Sequence, residues 1–251
     1  MQRRQPIALR SRYAHVVVRS LPVIPRKVGN ARPQLRSTAL TRIMLISGHP
    51  REASLHTAAL RTVARLAPQE ITPVLYGGLR DLPAFVPGEY TPPDRVARLR
   101  QEVAAAHAVL FSSPEFAGSI PGSLKNLLDW LVDGGDLSGK PVAWLSVATP
   151  GQDEGARETL ETVLGHAGAK VLRAACVRIP IDPVAVDVHG VVADPQLHRA
   201  LLDVLHTLVR ALAVQQRPQP SWQAVSSVYP VLRDDRPFQN WRAQIWRPEQ
   251  T

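Results

Sequence analysis

A single cysteine in 251 residues, Cys176, rules out an internal disulfide framework and any metal site built on clustered cysteines. It lies in the apolar run Ala174-Ala175-Cys176-Val177, which reads as a place for a buried, inert thiol. Long hydrophobic runs are missing too. None approaches the roughly 20 residues that cross a bilayer, so no transmembrane helix is expected. No HExxH, CxxC or Walker-type pattern occurs. The histidines are scattered, and His49 and His56, which fall close together, have no evident carboxylate partner, so a metal site is not expected. Gly118-Ser119 lacks the G-x-S-x-G frame of a nucleophile elbow, which argues against a serine hydrolase.

Acidic residues are absent from residues 1–41, which carry nine cations: Arg3, Arg4, Arg10, Arg12, Arg19, Arg26, Lys27, Arg32 and Arg36. Removing those nine from the thirty leaves 21 basic against 21 acidic residues. The net charge of +9 is therefore a property of the extension, and the rest of the chain offers no basic face for nucleic acid. Residues 1–41 read as a disordered, non-catalytic extension, with a transit peptide and an overlong reading frame both open as its origin. Residues 214–251 carry Pro218, Pro220, Pro230, Pro237 and Pro248 together with Trp222, Trp241 and Trp246. A disordered tail is usually poor in aromatics, so this one is expected to lie across its own domain or a neighbouring subunit.

Between the two ends the pattern is regular. Ile43-Met44-Leu45-Ile46 reads as a strand ending at Ser47-Gly48, and Ser54 as the N-cap of a helix to about Leu66. Ile71–Leu75 is a second strand, and Asp94–Ala106 a helix through Val96, Leu99 and Val103. The continuous apolar run from Ala108 to Ser112 predicts a third strand buried on both faces. Pro121–Val132 is a helix with Leu124, Leu127, Leu128 and Leu131 on one side. Val142–Val147, Ala156–Ala167, Lys170–Ile179 and Pro195–Ala213 complete a strand–helix–strand–helix series. This alternation implies right-handed crossovers and an α/β fold with a five-stranded parallel sheet covered on both faces. Residues 42–213 are expected to form that domain.

The stretch from Ser113 to Trp130, SPEFAGSIPGSLKNLLDW, resembles the "PEYN-S-PG-LKN-DW" signature of the NADPH-dependent FMN reductases, a flavodoxin-like family. The resemblance implies a three-layer sandwich of strand order 2-1-3-4-5, with the flavin at the switch between first and third strands. It spans about Arg42 to Ala213 and implies three flavin-binding loops. In the first, Gly48, Arg51 and Ser54 match the family's "GS-x-R-x-x-S-x-N" phosphate loop, with His49 in place of Ser and His56 in place of Asn. Backbone N–H groups and the positive end of the following helix suit a phosphate at such a turn. In the second, Pro114, Glu115, Phe116, Ala117 and Gly118 are expected along the flavin ring. Here Phe116 stands where Tyr is common and Ala117 where Asn is common. The third loop offers Ser146, Thr149 and Gly151 to the pyrimidine side. Leu82-Pro83-Ala84-Phe85 resembles the family's "LP-x-F" segment and is expected to border the site, whereas Lys125 and Asp129 read as a plain i,i+4 ion pair.

The function implied is an FMN-containing reductase with ping-pong turnover, taking hydride from NADPH or NADH. It would pass electrons to a small-molecule acceptor such as free FMN, a quinone, an azo dye or a metal oxyanion. A cytoplasmic protein is expected. So is a homodimer or dimer of dimers, because the turn from Glu115 to Pro121 carries Phe116 and Ile120 as exposed apolar groups beside the site. Two rivals stay open. An electron-carrier flavodoxin would need a T-x-T-G-x-T phosphate loop, which is absent. A flavodoxin-like scaffold with weak or lost flavin binding would follow from His49, His56 and Ala117.

Overall fold

The computed structural model describes residues 40–88 and 91–215. The expectations for the basic extension and for the Trp-rich tail lie outside the described residues. Eleven regular elements follow one another. They are β1 (Thr41–Ser47), α1 (Leu55–Leu66), β2 (Ile71–Tyr76), α2 (Asp94–Ala105), β3 (Ala108–Ser112), α3 (Gly122–Asp133), β4 (Pro141–Ser146), α4 (Glu154–His166), β5 (Lys170–Val171), β6 (Val177–Arg178) and α5 (Pro195–Gln215).

All strand pairings are parallel, in the order β2-β1-β3-β4-β5, with β6 also paired to β4. The two-residue period of a strand divides the core between the two faces. Ile43 and Leu45 of β1, with Ala108, Leu110, Ala143 and Leu145, pack against α1 and α5. Met44 and Ile46, with Val109, Phe111 and Val142, pack against α2, α3 and α4. The four leucines of α3 are fully buried in that second layer. Truncating any one of them to Ala should cost about 2–5 kcal/mol. The flavodoxin-like three-layer sandwich is therefore present.

The fifth strand departs from expectation. Lys170–Ile179 is not one strand: Val171 pairs with Val142 and Val177 with Leu145, so six positions on this chain are matched against three on β4. The surplus leaves the sheet as a 3-10 turn at Arg173–Ala175. Ala174 and Ala175 lack the branched side chains that favour a pleated surface. Ala175 packs instead against the layer of α1 and α5. Cys176 emerges from this turn half-buried, and burial pushes its thiol above the usual range.

Register places three strand ends along one edge. Ser47 of β1 pairs with Ser112 of β3, and Ser146 closes β4. At this carboxyl edge the neighbours of β1 have crossover helices on opposite faces of the sheet, opening the crevice where such sheets bind ligands.

Candidate functional site at the carboxyl edge

The loop after β1 turns tightly because Gly48 passes close under the next crossover. A Cβ there would lie 2.5 Å from the Ser113 hydroxyl and 2.7 Å from Leu124. Its amide donates to the Ser112 carbonyl at 2.8 Å. Ser54 caps α1 as the sequence suggested, accepting from the Thr57 amide at 3.1 Å. Its hydroxyl also starts a chain: Ser54 Oγ donates to Thr57 Oγ1 at 2.9 Å, which donates to Ser47 Oγ at 2.9 Å. Among the described residues no backbone acceptor reaches the first-turn amides of Leu55 and His56, leaving the partial positive charge of the helix start open to an anion. Arg51 is exposed at the rim, where a cleft of about 170 Å³ is lined by Arg51, Arg61, Arg80, His49, Ser47 and Thr57. His49 Nδ1 accepts from the Arg51 amide at 2.9 Å.

His56, in the first turn of α1, is buried, with 7% of its surface exposed. Its Nδ1 is 3.0 Å from Ser112 Oγ, at the end of β3. Burial, reinforced by His49, pushes the imidazole down to about 4, outweighing the opposing pull of Asp153. His56 is therefore neutral near pH 7.

The loop after β3 is a two-residue turn. Phe116 N donates to Ser119 O at 2.8 Å and Ser119 N returns to Phe116 O at 3.1 Å. Ala117 (φ 51°) and Gly118 (φ 73°) both sit in the left-handed region, as a type I′ turn requires. Among the described residues Ala117 is the one non-glycine with positive φ. Asn tolerates this conformation far better than Ala. Phe116 is 47% exposed and meets His49 edge-on, ring centroids 5.6 Å apart, joining the first two loops. Ile120, expected to be exposed beside it, is buried at 5% because it turns under the loop into the layer of α3 and α4.

Glu115 serves the neighbouring helix. Its Oε2 accepts from the Ala156 amide at 3.1 Å, satisfying the start of α4 across the loop. Ser119 Oγ donates to Thr159 Oγ1 at 3.2 Å, and a Cβ on Gly155 would lie 2.3 Å from the Gly118 carbonyl. The turn is thus clamped to α4 at three points. Thr57, Ser112, Thr159 and Gly155 escaped the sequence reading, because each acts through a contact distant in the chain or through a backbone approach.

In the loop after β4, Ser146 is buried and its Oγ has no partner among the described residues. Gly151 takes φ 91°, and its amide donates to Glu154 Oε1 at 3.0 Å. The broken fifth strand reaches this loop. Arg178, at the end of β6, donates to Asp153 Oδ1 at 2.5 Å and to Glu154 Oε1 at 2.8 Å. Asp153 is 1% exposed, a burial tolerable for a carboxylate only because of that guanidinium and of Arg157 Nε at 3.5 Å. Arg178, then the Gly151 amide, holds the Glu154 carboxyl down to about 2.

The edge therefore gathers His49, Arg51, Ser54 and His56, Pro114 to Gly118, and Ser146, Thr149 and Gly151 on three adjacent loops. The LP-x-F segment is tied to α3 rather than left open. Asn126 Nδ2 and Trp130 Nε1 both donate to Pro83 O, at 2.9 and 3.0 Å, and the Phe85 amide donates to Asn126 Oδ1. Asn126 and Trp130 of the recognised stretch are thus scaffold. Lys125 and Asp129 form the expected exposed ion pair. A cleft of about 600 Å³ lies between residues 183–190 and the start of α1, where Glu52, Ser54 and Leu55 of the first loop line it. Among the described residues no cluster of His, Cys, Asp and Glu could hold a metal, and no helix is long and apolar enough to cross a membrane.

Comparison with known proteins agrees with this fold. The family model for NADPH-dependent FMN reductases matches residues 41–183. An NAD(P)H-dependent FMN reductase of Pseudomonas aeruginosa is 32% identical over 111 residues, covering 43% of this chain and 60% of the relative. A quinone reductase of Escherichia coli is 31% identical over 105 residues, covering 40% and 56%. The chain thus spans less than two thirds of the length of these relatives. Among solved structures, a flavoenzyme NAD(P)H:(acceptor) oxidoreductase of Paracoccus denitrificans aligns with a TM-score of 0.60 at 24% identity, over 69% of this chain and 98% of that one. At that identity the likeness concerns the fold.

Proposed function

Because this chain belongs to the NADPH-dependent FMN reductase family, we propose that it binds FMN at the carboxyl edge of its sheet and catalyses NAD(P)H-dependent reduction of a quinone, free flavin or similar acceptor. The observation that carries this reading is the convergence of three loops at the ends of β1, β3 and β4, with unpaired donors where a phosphate and a flavin ring need them. The donor set fits the cofactor. The free amides of Leu55 and His56 with the Arg51 cation suit a phosphate, and the buried, unpartnered Ser146 hydroxyl suits a polar ring edge. His49, Arg51, Ser54 and His56 would hold the phosphate end. Pro114 to Gly118 would lie along the ring, and Ser146, Thr149 and Gly151 would meet its pyrimidine side.

The chemistry supplied by bound FMN is hydride exchange between a nicotinamide and an acceptor. The chain's own residues bind, orient and exclude water. Glu115, Ser119 and Gly155 keep the second loop against α4, while Arg178 and Glu154 keep the third in place. With one site serving donor and acceptor in turn, ping-pong kinetics follow.

The reading includes a homodimer or dimer of dimers, supported by the exposed face of Phe116 beside the site. It also includes a cytoplasmic location. The deciding experiment is the absorption spectrum of the purified protein after incubation with FMN and gel filtration. Retained yellow colour that bleaches with NADPH or NADH under anaerobic conditions supports the proposal. A colourless protein, or bound flavin that no nicotinamide reduces, refutes it. Light scattering tests the assembly, and an active, flavin-loaded monomer would remove the dimer.

A further inference from the structure

We propose that Ser113, Ser146, Asp153 and Arg157 together bind one buried water molecule, which ties the loop after β3 to the loop after β4. The site stands on the fold itself and needs no flavin to form.

The observation is a set of buried polar atoms left open around one small cavity. Ser146 Oγ, Asp153 Oδ2 and Arg157 Nε are buried and have no hydrogen-bond partner among the described residues. Ser146 is 2% exposed and Asp153 1%. All three residues line a single cavity of about 10 Å³, with Ser113 beside them. Unpaired polar atoms in an interior are disfavoured, so three of them around one space point to a guest that pairs them. A cavity of this size meets the lower limit for one water, about 10–15 Å³, and admits nothing larger.

Donors and acceptors balance for a water at this place. Ser113 Oγ gives its hydrogen to the Pro114 carbonyl at 3.0 Å, so toward the cavity it acts as an acceptor. Asp153 Oδ1 is taken by Arg178 at 2.5 Å, which leaves Oδ2 as an acceptor in need of a donor. Arg157 Nε only donates, and it lies 3.5 Å from Asp153 Oδ1 without forming a hydrogen bond. Ser146 supplies the second donor. A water has two hydrogens and two lone pairs. It gives the hydrogens to Asp153 and Ser113 and receives from Arg157 and Ser146. The lone pairs of Ser146 Oγ then stay open to a ligand.

Arg157 is held in place by other contacts. Its guanidinium lies over the Trp144 ring, 5.3 Å from the centroid, and Nη2 donates to Glu154 Oε1 at 3.3 Å. Ser113 follows β3, Ser146 ends β4, and Asp153 and Arg157 belong to the start of α4. One water that satisfies all four groups therefore fastens the second loop to the third. It joins them by a route separate from the Glu115 and Ser119 contacts.

The test is made on the full-length protein without flavin. A high-resolution crystal structure of the wild type should show an ordered water within hydrogen-bond distance of Asp153 Oδ2, Arg157 Nε and Ser146 Oγ. Oxygen-17 relaxation dispersion, which counts long-lived internal waters in solution, should fall by one water in Ser146→Val, where the methyl groups replace the donor and fill the cavity. Hydrogen exchange at the Phe116 and Ser119 amides should be several-fold faster in that variant. An empty cavity, a Ser146 hydroxyl bonded directly to Asp153 Oδ2, or equal dispersion in the two proteins overturns the proposal. Unchanged exchange overturns the tie between the loops. None of these results bears on flavin binding, so the FMN reading stands or falls separately by the absorption spectrum.

Discussion

Ala117 should be a site where substitution stabilises the protein. It holds φ 51° at the first central position of a two-residue turn whose second central residue, Gly118, has φ 73°. A residue with a Cβ sacrifices about 1–2 kcal/mol in the left-handed region. Gly removes that cost but brings back about 0.5–1 kcal/mol of chain entropy in the unfolded state. Ala117→Gly should therefore gain only about 0.5 kcal/mol. Ala117→Asn keeps a side chain that tolerates the conformation and should gain about 1 kcal/mol. For a domain of this size, 1 kcal/mol moves Tm by about 2–4 °C. Ala117→Val should do the reverse, lowering stability by about 1–2 kcal/mol, since a branched side chain is least tolerant of positive φ. Thermal unfolding followed by circular dichroism on the flavin-free protein reads all three. If Val is tolerated while Gly and Asn are neutral or harmful, the left-handed turn is wrong, and with it the placement of Phe116 against His49.

Three further outcomes are expected. Arg51→Ala with Ser54→Ala should weaken FMN binding more than folding, since charge-assisted and hydroxyl contacts to phosphate are worth about 1–3 kcal/mol each and the lost cap about 1 kcal/mol; equal flavin affinity by titration would remove the phosphate-loop assignment. Gly155→Ala would put a methyl 2.3 Å from the Gly118 carbonyl, so the second loop must move and FMN affinity should fall, with a stability cost of about 1–3 kcal/mol; unchanged affinity would show that the clamp on α4 does not shape the site. The flavin-free protein should lose stability as acid is added. His56 is held at about 4 in the fold against its ordinary 6.5, so the unfolded chain binds more protons between those values and stability falls as pH drops through that window, by roughly 3 kcal/mol from this group alone. His56→Asn should flatten that part of the denaturation profile, and an unchanged slope would contradict the buried, neutral imidazole.

How much of this was legible in the chain depends on whether the information was local. Ile43 to Ile46 and Ala108 to Phe111 are continuous apolar runs, and only a parallel strand covered on both faces accommodates them. The leucines of α3 repeat at helical spacing, and Ser54 caps α1, because period and capping involve residues a few positions apart. The strand order and the three loops at one edge follow from that alternation and from the handedness of crossovers. Tertiary structure decided what no local rule carries. The fifth strand breaks because six residues must match three on β4, a mismatch visible only once Val142 and Leu145 are paired. That break puts Arg178 against Asp153, 25 positions earlier, where a carboxylate can be buried only beside a cation. Ile120 turns inward and Glu115 caps a helix 41 positions away because the two-residue turn is pinned to α4. His56, in the first turn of α1, becomes a buried neutral imidazole because the fold takes it out of water, beside Ser112 at the end of β3. Local periodicity fixes which segments are strand or helix, but the partner that makes a buried charge or an unpaired nitrogen affordable is chosen by the packing of distant segments.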